Sequence, residues 1–384
     1  MRTRKGSVTM AQKRLNKRQQ RLERQRRIKK KRRKRLAIIM IEIIILAGLG
    51  SVAYGMFVMD KMETTTLNKD KLEVYKDTGD YTNIALFGLD SRDGEMEGGV
   101  QSDCIMVASI NNKTNEINLV SVYRDTLMKV TSEKYGKANS AYNTGGPTEA
   151  IALLNRNLDL DIEKYISVNF NVLADIVDAL GGIEIDMTDE EVVHTNNYAK
   201  ETSEVVGRKT TELSGAGVHK LDGIQAVSYA RIRYTAGMDF KRTQRQRLVL
   251  EKIVEKAQKA NVITLNNIVN KVMPQVSTNL TTSNMLGLAA HAADYKLGQM
   301  SGFPFEVTTC EKVKNHKGSY VTAVGFEKNV SELHEFLFEE KDYEPSDTVK
   351  DISNEVIYMT GVDPETYGTT TDYTYKSGGE DSEN

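Results

Sequence analysis

Residues Leu36–Met59 read LAIIMIEIIILAGLGSVAYGMFVM, an apolar run of 24 residues with one charged group, Glu42. An α-helix needs about 20 such residues to cross the hydrocarbon core of a bilayer. A cleaved signal peptide has a shorter apolar run and a small-residue cleavage site, so this run is expected to stay as a signal-anchor. The charges on its two sides are lopsided. Residues 1–35 hold 18 Lys and Arg against one acid, Glu23, a net of +17; the rest of the chain holds 34 bases against 52 acids, a net of −18. The positive-inside rule then predicts a single-pass protein of the cell membrane, N-terminus cytoplasmic and everything after about residue 60 outside.

A basic run also invites a nucleic-acid reading. Residues 1–35 contain no aromatic side chain for stacking, and their place against the membrane explains them as an orientation signal and anionic-lipid contact. No nucleic-acid partner is expected. Two cysteines, Cys104 and Cys310, are no disulfide framework, although they could pair outside the cell, and Cys104 reads as a small buried hydrophobe.

The exterior chain alternates strand and helix patterns. A polar stalk at 60–81 precedes the apolar run Asn83–Leu89, which ends in Asp90. Strands follow at Cys104–Ile110, after Asp103, and at Glu116–Tyr123, before Arg124 and Asp125. Charges at the ends of apolar strands are where sites are built on sheets. Gly145-Gly146-Pro147 breaks the chain before a helix at Thr148–Leu158. A strand at Tyr165–Phe170, a helix at Val172–Leu180 and a strand at Ile183–Asp186 come next, and 187–220 reads as a long polar loop. These patterns predict an α/β fold in α-β-α layers, a central mixed sheet flanked by helices and preceded by one transmembrane helix. Beyond residue 261 the helical patterns weaken, a strand is expected at Phe303–Thr309 and a helix near Asn329–Phe338. Residues 344–384, with ten acids and two lysines, read as an acidic disordered tail.

Tyr229–Leu250 concentrates five arginines, Arg231, Arg233, Arg242, Arg245 and Arg247, around one acid, Asp239. Its first part alternates as a strand would, with Tyr229, Arg231 and Arg233 on one face. A turn at Thr235–Met238 leads into a helix on which Asp239, Arg242 and Gln246 share a face that continues as apolar Val249 and Ile253. Such a helix has its lower part in a core and its upper part at a site. Paired guanidinia beside an Arg and a Gln suit a multivalent oxyanion; a solvated face of ordinary ion pairs is the plainer alternative.

The ordered set LFGLDSR, SDCIMVASINNKTNEINLVSVYRDT, KANSAYNTGG, DALGGIEIDM, LDGIQAVSYARIRY and DFKRTQRQR resembles the LytR-CpsA-Psr family over residues 82–260. The resemblance implies a membrane-anchored transferase of the Gram-positive cell wall. Such an enzyme moves a glycopolymer, teichoic acid or capsular polysaccharide, from a polyprenyl pyrophosphate carrier to peptidoglycan. It places Asp90 and Asp103 at metal positions for Mg²⁺ or Mn²⁺, and Arg124, Arg231, Arg233, Asp239, Arg242 and Gln246 in the catalytic set, with Lys137 as a further phosphate contact. Tyr123 stands where proline is frequent, and Gln101 where many members have Arg. The implied layout is basic segment 1–35, anchor 36–59, stalk 60–81, catalytic domain 82–260, a packed C-terminal part 261–343 and the tail. The charge need agrees: pyrophosphate transfer calls for neutralisation and alignment more than for covalent help, and Mg²⁺ commonly takes one or two carboxylates plus phosphates. Asp239 either orients the arginines or serves as general base, and Asp125 is expected to pair with neighbouring arginines. Ala150–Leu160 with Phe170–Leu180 are candidate walls for a prenyl groove. Rival readings are a membrane-bound transcriptional attenuator, which would need the basic segment to read DNA and has no helix-turn-helix pattern, and a pyrophosphatase or binder of the lipid-linked polymer.

Protease added to intact protoplasts is expected to digest residues beyond about 60 and spare a tag at residue 1. Loss of that tag with survival of the outer part would reverse the orientation.

Overall fold

The structure, a computed structural model, describes residues 67–91, 96, 99–233, 238–272, 275–281 and 294–365, with positions 284, 288, 291, 367, 375 and 376. The basic segment, the expected anchor, residues 60–66 of the stalk, the turn at 235–237, most of the weak pattern at 283–295 and most of the tail beyond 367 lie outside the described residues. Among the described residues no helix is long and apolar enough to cross a membrane.

The strands are β1 (Tyr81–Leu89), β2 (Ser102–Asn111), β3 (Glu116–Val122), β4 (Leu127–Lys129), β5 (Tyr135–Lys137), β6 (Lys164–Asn169), β7 (Ile183–Met187), β8 (Gly217–Leu221), β9 (Ser277–Thr278), β10 (Lys296–Phe303), β11 (Val307–Cys310), β12 (Tyr320–Ala323) and β13 (Tyr375–Lys376). The helices are α1 (Ser140–Leu158), α2 (Phe170–Ala179), α3 (Asp189–Val206), α4 (Gly223–Arg231), α5 (Met238–Lys259), α6 (Val262–Val272), α7 (Phe326–Phe338) and α8 (Asp347–Thr360). Seven strands form one mixed sheet in the order β13-β10-β3-β2-β1-β6-β9. The β1–β2 and β2–β3 pairs are antiparallel, while β6 and β10 add in parallel to β1 and β3. Hairpins are enough for the first two joins; the parallel ones need the crossovers that α1 and the later helices supply.

Alternation along β1 assigns its faces. Ala85, Phe87 and Leu89 enter the main core with Ile151 and Leu154 of α1, Leu333 of α7 and Ile352 of α8. On the other face Leu86 meets Met106, Leu119 and Leu250 of α5, while Ile166 and Val168 of β6 pack with α2 and α6. Beyond α5 an outer cluster joins α2, α3, α4 and the antiparallel β7–β8 pair.

Four expectations are corrected here. The region read as a loop at 187–220 contains α3, started by a capping box in which Thr188 and Glu191 satisfy each other's backbone N–H groups, and β8. The region read as a strand from Tyr229 is the last turn of α4, which begins with a second capping box, Asp222 and Gln225. Ala226, Val227 and Ala230 recur at helical spacing and are buried, and that overrides the two-residue alternation. The acidic tail is not wholly disordered: α8 is capped by Ser346 and buries Val349, Ile352 and Val356. Its acids lie on one face of a period-3.6 pattern that the high acid content masks. The part after 261 is also more than an addition to the domain, since β10 lies within the sheet.

Two glycines show how tightly layers meet. A Cβ on Gly88 would stand 2.8 Å from the Cβ of Cys104 on the paired strand, and one on Gly223 would stand 2.2 Å from the carbonyl oxygen of Ala174. The second contact is backbone and cannot swing away. Gly223→Ala is therefore expected to push α4 off α2 and lower stability by about 1–3 kcal/mol, the range for overpacking, as a drop in the thermal midpoint.

Candidate functional site

The C-terminal ends of β1 and β3 and the start of β2 lie at one end of the sheet. Leu89 pairs with Ser102 there, and Asp90 N–H donates to Gln101 O at 3.3 Å. The start of α5 arrives at the same place, pinned by Phe240 packing edge-on against the buried Tyr123 ring at 4.7 Å between centroids. Tyr123 thus gives the end of β3 an aromatic contact to α5.

The charged side chains brought together form an alternating series. Lys137 Nζ lies 2.8 Å from Asp125, and the other oxygen of Asp125 is 3.7 Å from Arg124 Nε. Arg124 Nη1 donates to Asp103 Oδ1 at 2.7 Å, and Arg242 Nη2 takes Asp103 Oδ2 at 2.9 Å. Asp239 Oδ1 lies 3.4 Å from Arg124, 3.5 Å from Arg242 and 3.8 Å from Arg233. Four cations thus surround three carboxylates, and cations, Lys137 and Arg233, stand at both ends. The Arg242 side chain is only 4% exposed, whereas that of Arg233 is 41% exposed.

Burial pushes the Asp103 carboxyl up, but the Arg242 and Arg124 guanidinia outweigh it, so its pKa lies below the ordinary value of 3.8. For Arg124, burial works against the charge while Asp103, Asp239 and Asp125 more than offset it, and the pKa rises. Despite this pairing, Arg124 Nε, Arg242 Nε, Asp239 Oδ1 and Asp90 Oδ1 are buried without a hydrogen bond among the described residues. Buried polar atoms of this kind are costly unless something completes them.

An apolar cavity of about 310 Å³ adjoins the cluster. Arg242, Gln246, Val249 and Ile253, all on one face of α5, line it together with Leu86 of β1, Met106 of β2, Ile166 of β6 and Leu173 and Ile176 of α2. The lower part of α5 was expected in a core, and Val249 and Ile253 are buried in the outer cluster; the same stripe also walls this cavity. The α1 residues Ala150–Leu158 were candidate walls as well, but they pack in the main core on the far face of the sheet. Cys104 also lines the cavity, and burial pushes its thiol up to about 12. Both cysteines are free thiols.

Arg231 and Arg233 part ways because α4 ends at Arg231 and the chain turns out of the helix at Ile232, φ −57° and ψ 126°, before Arg233. Arg233 reaches Asp239, while Arg231 turns to α3, where it contacts Thr202 at 2.9 Å and Glu201 at 3.1 Å and stacks on Phe170 and Tyr198. Its stem still lines the cavity. Arg245 is tied to Glu191 at 2.8 Å and Arg247 to Ser301 O at 3.0 Å, holding α5 to α3 and β10. The acids of α3 that take Arg231 and Arg245 escaped the sequence reading. The signal for their helix was the Thr188-x-x-Glu191 capping box.

Among the described residues no three His, Cys, Asp or Glu side chains are grouped for a metal. A hard cation that takes one or two carboxylates plus phosphates needs fewer. Asp90, with a buried oxygen free of hydrogen bonds, and Asp103, each of whose oxygens keeps a second lone pair, fit that donor set.

A sequence model described as the LytR_cpsA_psr family matches residues 51–337. The chain is 33% identical over 252 residues to TagU of Enterococcus faecalis, a polyisoprenyl-teichoic acid–peptidoglycan teichoic acid transferase, covering 64% of this chain and 76% of that one. It is 32% identical over 209 residues to TagU of Bacillus mycoides, covering 54% and 62%. Among solved structures, one described as a transcriptional regulator from Enterococcus faecalis shares the fold with a TM-score of 0.56 at 26% identity, covering 77% of this chain and 99% of that one.

Asp103 should show itself in acid. Its folded pKa lies below the unfolded value, so the stability it contributes is complete above about pH 4 and disappears as pH falls through the folded pKa. Asp103→Asn should flatten that acid limb in urea titrations. Stranding Arg124 and Arg242 should also lower stability at neutral pH by about 3 kcal/mol.

Proposed function

Because the chain belongs to the LytR-CpsA-Psr family, we propose that it transfers a glycopolymer of the teichoic acid or capsular type from a polyprenyl pyrophosphate carrier to peptidoglycan. One observation carries this reading: an alternating cluster with surplus cations opens onto an apolar cavity. An amphiphile with an anionic head and an isoprenoid tail matches both halves. The names of the TagU relatives support the same donor and acceptor.

In this reading the pyrophosphate lies against Arg124, Arg242 and Arg233, with Lys137 at the far end of the cluster and the Gln246 amide at the cavity wall. Guanidinia preorganised by Asp103 and Asp239 need no reorientation as charge moves onto the leaving phosphate, which is how fixed donors lower a barrier. Asp239 orients three guanidinia at once. An acceptor sugar hydroxyl attacks the phosphorus next to the polymer, the bond to the bridging oxygen breaks, and prenyl phosphate leaves with that oxygen and takes up the hydroxyl's proton. Asp90 and Asp103 would hold Mg²⁺ or Mn²⁺, which would supply further neutralisation of phosphate charge. Residues 36–59 would anchor the enzyme, with the N-terminus cytoplasmic and the transferase domain outside the cell.

The test is product analysis with the full chain, a lipid-pyrophosphate-linked polymer and peptidoglycan. Joined polymer supports transfer; free phosphorylated polymer would make the protein a pyrophosphatase, and no product a binder. Arg124→Ala and Arg242→Lys should each cost on the order of 2–4 kcal/mol of transition-state stabilisation, the latter because lysine keeps charge but loses the fork. Arg231→Ala should act mainly on stability. Near-native turnover in the Arg124 and Arg242 variants would sink the site assignment.

A further inference from the structure

We propose that the corner joining α5 to α6 is a membrane-docking surface, which seats this end of the fold on anionic lipid and lets a carrier's tail pass from the bilayer into the cavity. The proposal uses the carrier reading only for the path of the tail; the docking surface stands on the corner's own residues.

The corner lies at the end of the sheet away from the charge cluster. α5 starts at the cluster with Asp239 and Arg242 and leaves it at about 1.5 Å per residue, so Ile253 lies roughly 16 Å further on. At the end of α5, Gln258 donates to Tyr295 O at 3.0 Å, and Lys296 N–H donates to Asn115 O at 2.9 Å in the β2–β3 turn. That turn is the opposite end of the two strands that present Asp103 and Arg124. The described chain arrives at this end too: Lys69 pairs with Glu163 at 2.9 Å beside the start of β6, and Asn279, after α6, donates to Glu163 O at 2.6 Å. Only residues 60–66 separate the expected span from Leu67, a tether of roughly 29 Å at full extension.

The corner's surface suits a lipid interface. Ile263 is 74% exposed and Leu265 is 38% exposed, while Ile268 and Val272 of the same helix turn inward against α2. Lys259 is exposed, and Lys256 half-buried, just before them. From Lys256 to Ala293 the sequence has no Asp or Glu, within a region whose net charge is −18. Apolar side chains beside lysines gain from anionic headgroups and from shallow insertion together. The cavity reaches toward this corner, since Ile176 lines it and also packs with Ile268 and Val272. At about 310 Å³ it is at the small end of ligand pockets, so a long isoprenoid fills it with its head-proximal part and leaves the remainder in lipid.

The test uses the full chain in phosphatidylglycerol–phosphatidylcholine vesicles without carrier. A fluorophore is placed at Ile263→Cys or, as reference, at Tyr358→Cys on α8, exposed on the other face of the sheet; wild-type chain treated alike gives the background from Cys104 and Cys310. Nitroxide groups on shallow acyl positions should quench the Ile263 label and leave the Tyr358 label bright. Quenching should weaken in Lys256→Gln/Lys259→Gln and in vesicles lacking phosphatidylglycerol. Equal quenching at both positions, or none at Ile263, overturns the surface. Docking here with no joined polymer in the product analysis would refute transfer and leave the surface standing, whereas joined polymer there without docking here would do the reverse.

Discussion

The site depends on one carboxylate. Asp103 gives one oxygen to Arg124 and the other to Arg242, and those arginines come from the end of a strand and the first turns of a helix far away in sequence. Without the shared acid, two buried guanidinia would repel each other across a low-dielectric gap. With it, their remaining donors are held at fixed positions. Asp103 is thus the clamp between sheet and helix as well as a candidate cation ligand, each oxygen holding an arginine with one lone pair and keeping the other. A hard cation would have to be accepted beside the guanidinia, so any phosphate it bridged would also lie within their reach.

Much of the frame was legible because it obeys local periodicity. β1, β2, β3 and β6 are short apolar runs bounded by charges, and each lies close to where its pattern put it. The residues drawn to one end of the sheet, Asp90, Asp103, Arg124 and Asp125, were legible for the same reason: a charge ending a buried strand has nowhere else to go. The helical face of Asp239, Arg242 and Gln246 was legible from spacing alone, and the family resemblance rests on the same residues.

What failed has a common cause. Arg231 was assigned to a strand because Tyr-Ala-Arg-Ile-Arg alternates, yet a three-residue alternation carries little information beside the Asp222–Gln225 capping box that starts a helix just before it. Its guanidinium then finds Phe170 of α2 and, on α3, Glu201 and Tyr198; α3 is an element hidden in a stretch that composition marked as loop. Composition misled in the same way for α8, where acids on the wet face concealed buried Val349, Ile352 and Val356. Average polarity describes the solvent side of a helix; only the spacing of its minority apolar residues describes the other. The cavity was illegible for a further reason. Val249 and Ile253 look alike whether they meet a neighbouring side chain or a space, and only tertiary placement decides which.

The polarity gradient along α5 also restricts what can bind and in which sense. An anionic head moved down toward Val249 and Ile253 would lose its hydration with no donor to replace it, a penalty of several kcal/mol. An isoprenoid moved up among Arg124, Arg242 and Asp239 would separate charges that now pair, at comparable cost. Both displacements are unfavourable, so the polarity of the proposed carrier would itself set its orientation, head at Arg124 and Arg242 and tail along the apolar wall. A free nucleotide or sugar phosphate would satisfy the cluster and leave the apolar wall wet, and a free fatty chain would do the converse. Only a molecule carrying both ends recovers both contributions, and that requirement favours a lipid-linked pyrophosphate over a soluble donor.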